Sequence, residues 1–131
     1  MEVSRALADT SVFVATESSG PLRSEALPAG FVVSVVTLGE LRAGVLAAAD
    51  PRIRATRLAT YERVVRFETI SIDAAIAETW ADLRAALRQA GRAMGVNDSW
   101  IAATAITLGI PVATQDLGYP AGIAGLEVIA I

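Results

Sequence analysis

The stretch "NDSWIAATAITLGIPVATQD", residues 97–116, decides the class of fold. From Ile101 to Leu108 it reads as a buried helix of small and β-branched residues; Gly109 suits its end, and "IPVAT" (110–114) then reads as a short apolar strand. A helix that runs straight into a buried strand is the repeating unit of a parallel sheet with crossover helices. Each end of the stretch carries an acid, Asp98 where the helix opens beside Asn97, and Asp116 just past the strand. A carboxylate pressed against so apolar a run needs a reason.

The same alternation continues in both directions. "RALA" (5–8) reads as a first strand broken by Asp9, followed by a short helix over "TSVFVATES" (10–18) and a loop marked by Gly20 and Pro21. "FVVS" (31–34) reads as a second strand leading into a helix over "TLGELRAGVLAAA" (37–49), after which Asp50 and Pro51 restart the chain into an arginine-rich helix. "RFETISI" (66–72) is a third strand. Asp73 has the position of an N-cap for "AAIAETWADLRAALRQAG" (74–91), where Ile76, Trp80, Leu83 and Leu87 recur at helical spacing and Gly91 suits the end. A Gly-rich connection, "DLGYPAGIAG" (116–125), leads to a last strand, "LEVIAI" (126–131). The expectation is one α/β domain over residues 1–131, three-layered, with a central sheet of about five strands.

A chain of 131 residues can bury a real core without staples, and 53% hydrophobic against 19% charged residues is the balance of a folded chain, not a disordered one. The richest apolar run, "FVVSVVTLGEL" (31–41), meets Glu40 too soon to cross a bilayer. The opening "MEVSRALADTSVF" also lacks the basic, apolar and small-residue order of a secretory signal. A soluble, cytoplasmic protein without membrane association is expected.

Absences narrow the chemistry further. The chain has no Cys and no His, and all 11 basic residues are Arg. Thiolate nucleophiles, Cys/His zinc sites, Ser-His-Asp triads and Schiff-base lysines are excluded. An enzyme of this composition works with carboxylates, hydroxyls, arginines and backbone groups, and an oxygen-rich ligand set favours Mg²⁺ or Mn²⁺. The net charge of −3 argues against a general nucleic-acid binder. Locally, however, "PRIRATRLATYERVVR" (51–66) sets Arg52, Arg54, Arg57, Arg63 and Arg66 against a single acid, Glu62. A solvated helix face is the plain explanation and a phosphate-binding face the functional one.

Asp9, Glu40, Asp98 and Asp116 share a type of position, at a strand exit or in the opening of a helix. In an open parallel sheet these positions converge on one edge, where clustered carboxylates must be relieved by a cation or by protonation. Each acid also has an ordinary explanation. Glu40 stands three residues after Thr37, as in a capping box; Asp98 or Asn97 suits a helix cap; Asp9 precedes "TS" as a cap would; Asp116 precedes "LG" as in a turn. Recurrence of an acid at every such place points to one shared site.

The order "ADTSVFV" (8–14), "SVVTLGELRAGV" (34–45), "NDSWIAATAITLGIPVATQD" (97–116) and "GLEVI" (125–129) resembles the PIN-domain ribonucleases, and within them the VapC toxins of bacterial toxin–antitoxin pairs. The resemblance implies a PIN-like, mainly parallel sheet with helices on both faces. It assigns Asp9, Glu40, Asp98 and Asp116 to an acidic Mg²⁺ or Mn²⁺ site that hydrolyses RNA, with the Thr114 hydroxyl in support. Gln115 departs from the Arg or Asn frequent there. A homodimer and a VapB-like antitoxin are implied as well. Arg42, close to Glu40 in sequence, and Arg52, Arg54 and Arg57 are the candidate RNA contacts. The rival is a noncatalytic α/β interaction module whose acids are only caps and turns, and it predicts no metal dependence.

Overall fold

The computed structural model describes residues 5–17, 30–116 and 118–131. The loop at Gly20 and Pro21 lies outside them, as does Ser18 at the expected end of the first helix. The strands are β1 (Arg5–Ala8), β2 (Gly30–Ser34), β3 (Glu68–Ile70), β4 (Val112–Thr114) and β5 (Val128–Ala130). They form one sheet in the order β3-β2-β1-β4-β5, and every neighbouring pair is parallel. The helices are α1 (Thr10–Ala15), α2 (Val35–Ala47), α3 (Pro51–Val64), α4 (Ala74–Gln89) and α5 (Val96–Leu108), and a short 3₁₀ turn at Ile123–Gly125 precedes β5. The α/β, five-stranded parallel reading holds.

Side-chain alternation along the central strands builds two separate cores. Register sets Leu7 of β1 beside Val32 of β2 and Val112 of β4. These point to one face and pack with Ile76, Leu83 and Leu87 of α4 and with Ile101, Ala102 and Ala105 of α5. Ala8 and Val33 point to the other face, against Phe13 of α1, Leu41 of α2 and Val64 of α3, while Ala6 and Ala113 meet Val12 of α1. Helices therefore cover both faces. Full burial of a side chain such as Leu7 stabilises by about 1.5–3 kcal/mol. Ala102, Ala103 and Ala105 have no exposed surface, so α5 lies hard against its neighbours because its side chains are too small to hold them off.

The strand order has a functional consequence. The chain builds from β1 outward to β3, then returns to place β4 on the other side of β1. The direction of winding reverses between β1 and β4, and in open parallel sheets a crevice forms outside the carboxyl ends of the strands at that point. Asp9 follows β1 there, and Thr114 ends β4.

Two helix starts differ from the sequence reading and a third lacks the cap bond it suggested, and each of these bears on an acid. α2 opens two residues early because Ser34, not Thr37, is its cap; the Ser34 hydroxyl accepts from the Val36 amide at 3.0 Å. Thr37 and Glu40 therefore form no capping box. α5 opens at Val96 after Gly95, with no side-chain cap, so Asn97 and Asp98 lie inside its first turn. Asp9 precedes α1 but makes no capping bond. Asp50 and Asp73 do cap α3 and α4, accepting from Arg52 and Ile76 amides at 2.8 and 2.9 Å.

Candidate active site

Asp9 is 4% exposed, an unusual place for a carboxylate, and its two oxygens are treated differently. Oδ2 accepts from the Ser11 hydroxyl at 2.7 Å and from the Thr114 hydroxyl at 3.0 Å. Those hydroxyls are themselves fixed by backbone donors, Gln115 N–H to Ser11 Oγ at 3.1 Å and Asp116 N–H to Thr114 Oγ1 at 2.9 Å. Oδ1 is buried with no hydrogen-bond partner among the described residues. A buried polar atom left bare costs free energy unless something else satisfies it. Its neighbours orient the carboxylate and leave one oxygen ready for a ligand.

Glu40 is held from two sides. Thr10 Oγ1 donates to Oε1 at 2.6 Å, and Asn97 Nδ2 of α5 donates to Oε2 at 3.2 Å. The Thr10 hydroxyl lies 2.9 Å from the fully buried Thr37 hydroxyl; since the Thr10 proton is committed to Glu40, Thr37 is the donor in that pair. The glutamate thus joins α1, α2 and α5 at the crevice.

Asp98 is half-buried, and its pKa is pushed up to about 6, first by burial and then by the charges of Asp9, Glu40 and Asp116. That dependence places all four acids in one electrostatic neighbourhood. The start of α5 is pinned by Tyr119, whose phenol donates to the Asp98 carbonyl at 3.0 Å. Burial and the four acids push the Tyr119 phenol far above its ordinary range, so it stays a neutral donor. Asp116 is exposed, and its Oδ1 accepts from the Gly118 amide at 2.9 Å, which is the turn geometry anticipated for it. Among the described residues no three acidic side chains are drawn together as a finished metal-ligand set. The acids lie close enough to repel one another and are not closed into a cage. The donor chemistry nevertheless fits a hard divalent cation: every candidate ligand is an oxygen, one of them is buried and bare, and the local charge is strongly negative.

The four arginines separate. Arg57 lines a cavity of about 250 Å³ together with Thr10, Glu17 and Glu40. Arg42 and Arg54 line a different groove, between α2 and α3, and Arg42 lies over the Tyr61 ring at 5.8 Å. Two residues along a helix is a rotation of about 200°, so closeness to Glu40 in sequence carries Arg42 away from the cavity that Glu40 lines. Arg52 is exposed in the first turn of α3. Thr10, Ser11 and Tyr119 were not singled out by sequence reasoning. "DTS" held a signal for the first two, since hydroxyls directly after an acid can fold back on it or on its partners.

The model of the PIN domain family matches residues 6–121. Ribonuclease VapC4 of Mycobacterium tuberculosis is 51% identical over 133 residues, an alignment spanning 100% of both chains. The crystal structure of VapBC-5 from Mycobacterium tuberculosis, a member of the VapBC family of toxin–antitoxin systems, superposes with a TM-score of 0.89 at 43% identity, covering 98% of this chain and 99% of that one. DNA-bound VapBC from Salmonella typhimurium superposes with a TM-score of 0.79 at 25% identity, covering 96% of each chain.

Proposed function

Since the chain belongs to the PIN-domain family, among its VapC ribonucleases, we propose that it is a metal-dependent endoribonuclease, the toxin of a toxin–antitoxin pair, acting at the carboxyl ends of β1 and β4. The observation that carries this is Asp9: a buried carboxylate, oriented through one oxygen, bare at the other, and in the same electrostatic neighbourhood as three more acids. Caps and turns explain none of that, and only Asp116 retains such an explanation.

Asp9 and Asp98 would hold Mg²⁺ or Mn²⁺, with Glu40 and Asp116 completing the charge directly or through water. When bound, such a cation polarises a phosphoryl oxygen, lowers the pKa of a coordinated water and offsets the repulsion between these acids and a polyanionic substrate. Ser11 and Thr114 keep Asp9 from rotating, and Thr10 and Asn97 do the same for Glu40, so the acids meet the substrate in fixed orientations. With no His in the chain, the proton of the attacking water passes to a carboxylate. Arg57 is the arginine placed to contact RNA beside the site.

A VapB-like antitoxin and a second copy of the chain are the proposed partners. The support is the kind of assembly named for the related structures, together with exposed apolar side chains on α1, α2 and α3, namely Val14, Leu46 and Ile53 at 48%, 59% and 49%.

The test is cleavage of a mixed RNA pool by purified, antitoxin-free protein with Mg²⁺ or Mn²⁺, with EDTA, and by Asp98→Asn. The carboxyl group of Asp98 makes no hydrogen bond among the described residues, so this substitution removes charge and little else. Metal-dependent cutting that is lost in folded Asp98→Asn is the expected result. Equal cutting by both proteins, or cutting that survives EDTA, rejects the reading.

A further inference from the structure

Beside Glu40 the surface opens into a cavity of about 250 Å³ between α1, α2 and α3. Its walls are Val14 and Leu41, with Gly44 contributing no side chain, and its polar groups are Thr10, Glu17, Glu40 and Arg57. Arg57 and Glu17 carry opposite charges into the same space, yet they form no ion pair with each other. Each is anchored from behind. Arg57 Nη1 donates to the Gly44 carbonyl at 2.8 Å, and Glu17 Oε2 accepts from the buried Thr60 hydroxyl. A guanidinium has five N–H donors and a carboxylate two oxygens, so both retain hydrogen-bonding capacity toward the cavity.

We propose that this cavity is a nucleobase subsite that selects guanine next to the scissile phosphate, with Arg57 and Glu17 as the specificity-determining residues. The proposal rests on the ribonuclease reading, because its position matters only if the neighbouring acids cut RNA. A volume below the roughly 300–1,000 Å³ of pockets for whole ligands suits one base and not a run of nucleotides. A phosphate is the wrong occupant, since two carboxylates line the space against one guanidinium. An unstacked base with donors on one edge and acceptors on another is the right one. Guanine alone presents two acceptors, O6 and N7, for the fork of Arg57 and two donors, N1–H and the 2-amino group, for Glu17. Adenine would turn the N1 lone pair toward the carboxylate, and uracil offers a single donor. Val14 and Leu41 supply apolar contact for the ring.

Two measurements test this together. Cut sites from a randomised RNA pool are sequenced for wild type, Glu17→Gln and Arg57→Lys, and the metal-free proteins are titrated with guanosine and with adenosine while backbone amide resonances are followed. Glu17→Gln keeps the size of the side chain and its acceptor for Thr60, so it preserves the fold even if Arg57→Lys loosens the tie to Gly44. The expected result is enrichment of guanine by about tenfold or more at one fixed position in wild type, lost in both variants. In wild type, guanosine and not adenosine should shift the Val14 and Gly44 amides. Cutting without a fixed guanine, or with a preference unchanged in Glu17→Gln, overturns the proposal, as does equal response to the two nucleosides. If the pool is not cut while guanosine still shifts those amides, the ribonuclease reading fails and the base pocket stands.

Discussion

Two helices of nearly equal length carry candidate functional residues and treat them in opposite ways. α5 has 13 residues, with Ser99 and Ile101 through Ala105 buried; α3 has 14, of which only Thr60 and Val64 are buried. In α5, packing dictates most of the stretch from Ser99 to Ala105, so the one acid set at its edge, in the first turn, stands against the trend and carries information. In α3, solvent accepts any polar residue, so its four arginines, with Arg66 just beyond it, carry little until the neighbours are known. Of the proposed RNA-contacting arginines, Arg57 shares a cavity with a site acid among the described residues, and it is also partly buried. Constraint, more than residue type, separates the candidate site from plain surface in this molecule.

The contrast can be broken at the buried end first. Asp9→Asn keeps shape and an acceptor for Ser11 and Thr114 while removing the charge, and cleavage should fall by about 100-fold or more with the circular-dichroism spectrum unchanged. Retained activity would reduce Asp9 to a structural residue. Next, Ala103→Leu in α5 should cost about 1–3 kcal/mol in urea unfolding because nothing can yield around a fully buried methyl. Ala59→Leu, the same change at an exposed position of α3, should stay within about 0.5 kcal/mol. Similar losses at both would erase the distinction between the helices.

A smaller effect follows from Asp98. Its folded pKa of about 6 lies above its ordinary 3.8, so the native state binds the extra proton, and stability contributed by the protonated form is lost as pH rises through about 4 to 6. Metal-free Asp98→Asn should therefore melt a few degrees higher than wild type near neutral pH, and the difference should vanish in acid. Mn²⁺ affinity of wild type, read by calorimetry, should weaken below about pH 6 as protons compete for the same oxygens. The smallest change is expected at the exposed end of α3. Arg52→Ala should weaken RNA binding about twofold at most, uniformly over sequences, with a slightly shallower salt dependence.

Local chemistry explains which parts of this architecture were legible in the sequence. Short apolar strands, helices ended by Gly91 and Gly109 in left-handed conformation, and caps at Asp50 and Asp73 all rest on interactions within a few residues. The start of α2 was misplaced because Ser34 and Thr37 both suit a cap, and only the end of β2 selects the first. The four candidate acids could be singled out individually, since an acid beside an apolar run is conspicuous. Of their supports only Thr114 was anticipated, through the resemblance; Ser11 reaches Gln115 across 104 residues and Asn97 reaches Glu40 across 57, contacts that no local pattern announces. The fate of Arg42 and Arg57 depended on the rotational phase of α2 against α3, which a sequence pattern does not encode.

The bond from Thr114 to Asp9 spans 105 residues and closes only after β4 has docked beside β1. During synthesis, the part of the chain that has emerged as far as β3 carries Asp9 and Glu40 but neither Asp98 nor the hydroxyl that steadies Asp9. Assembly of the candidate site is therefore a late event along the chain, dependent on the docking of β4. On the ribonuclease reading proposed above, a chain that has emerged only as far as β3 would lack two parts of the site, so cutting would wait for α5 and β4 to dock.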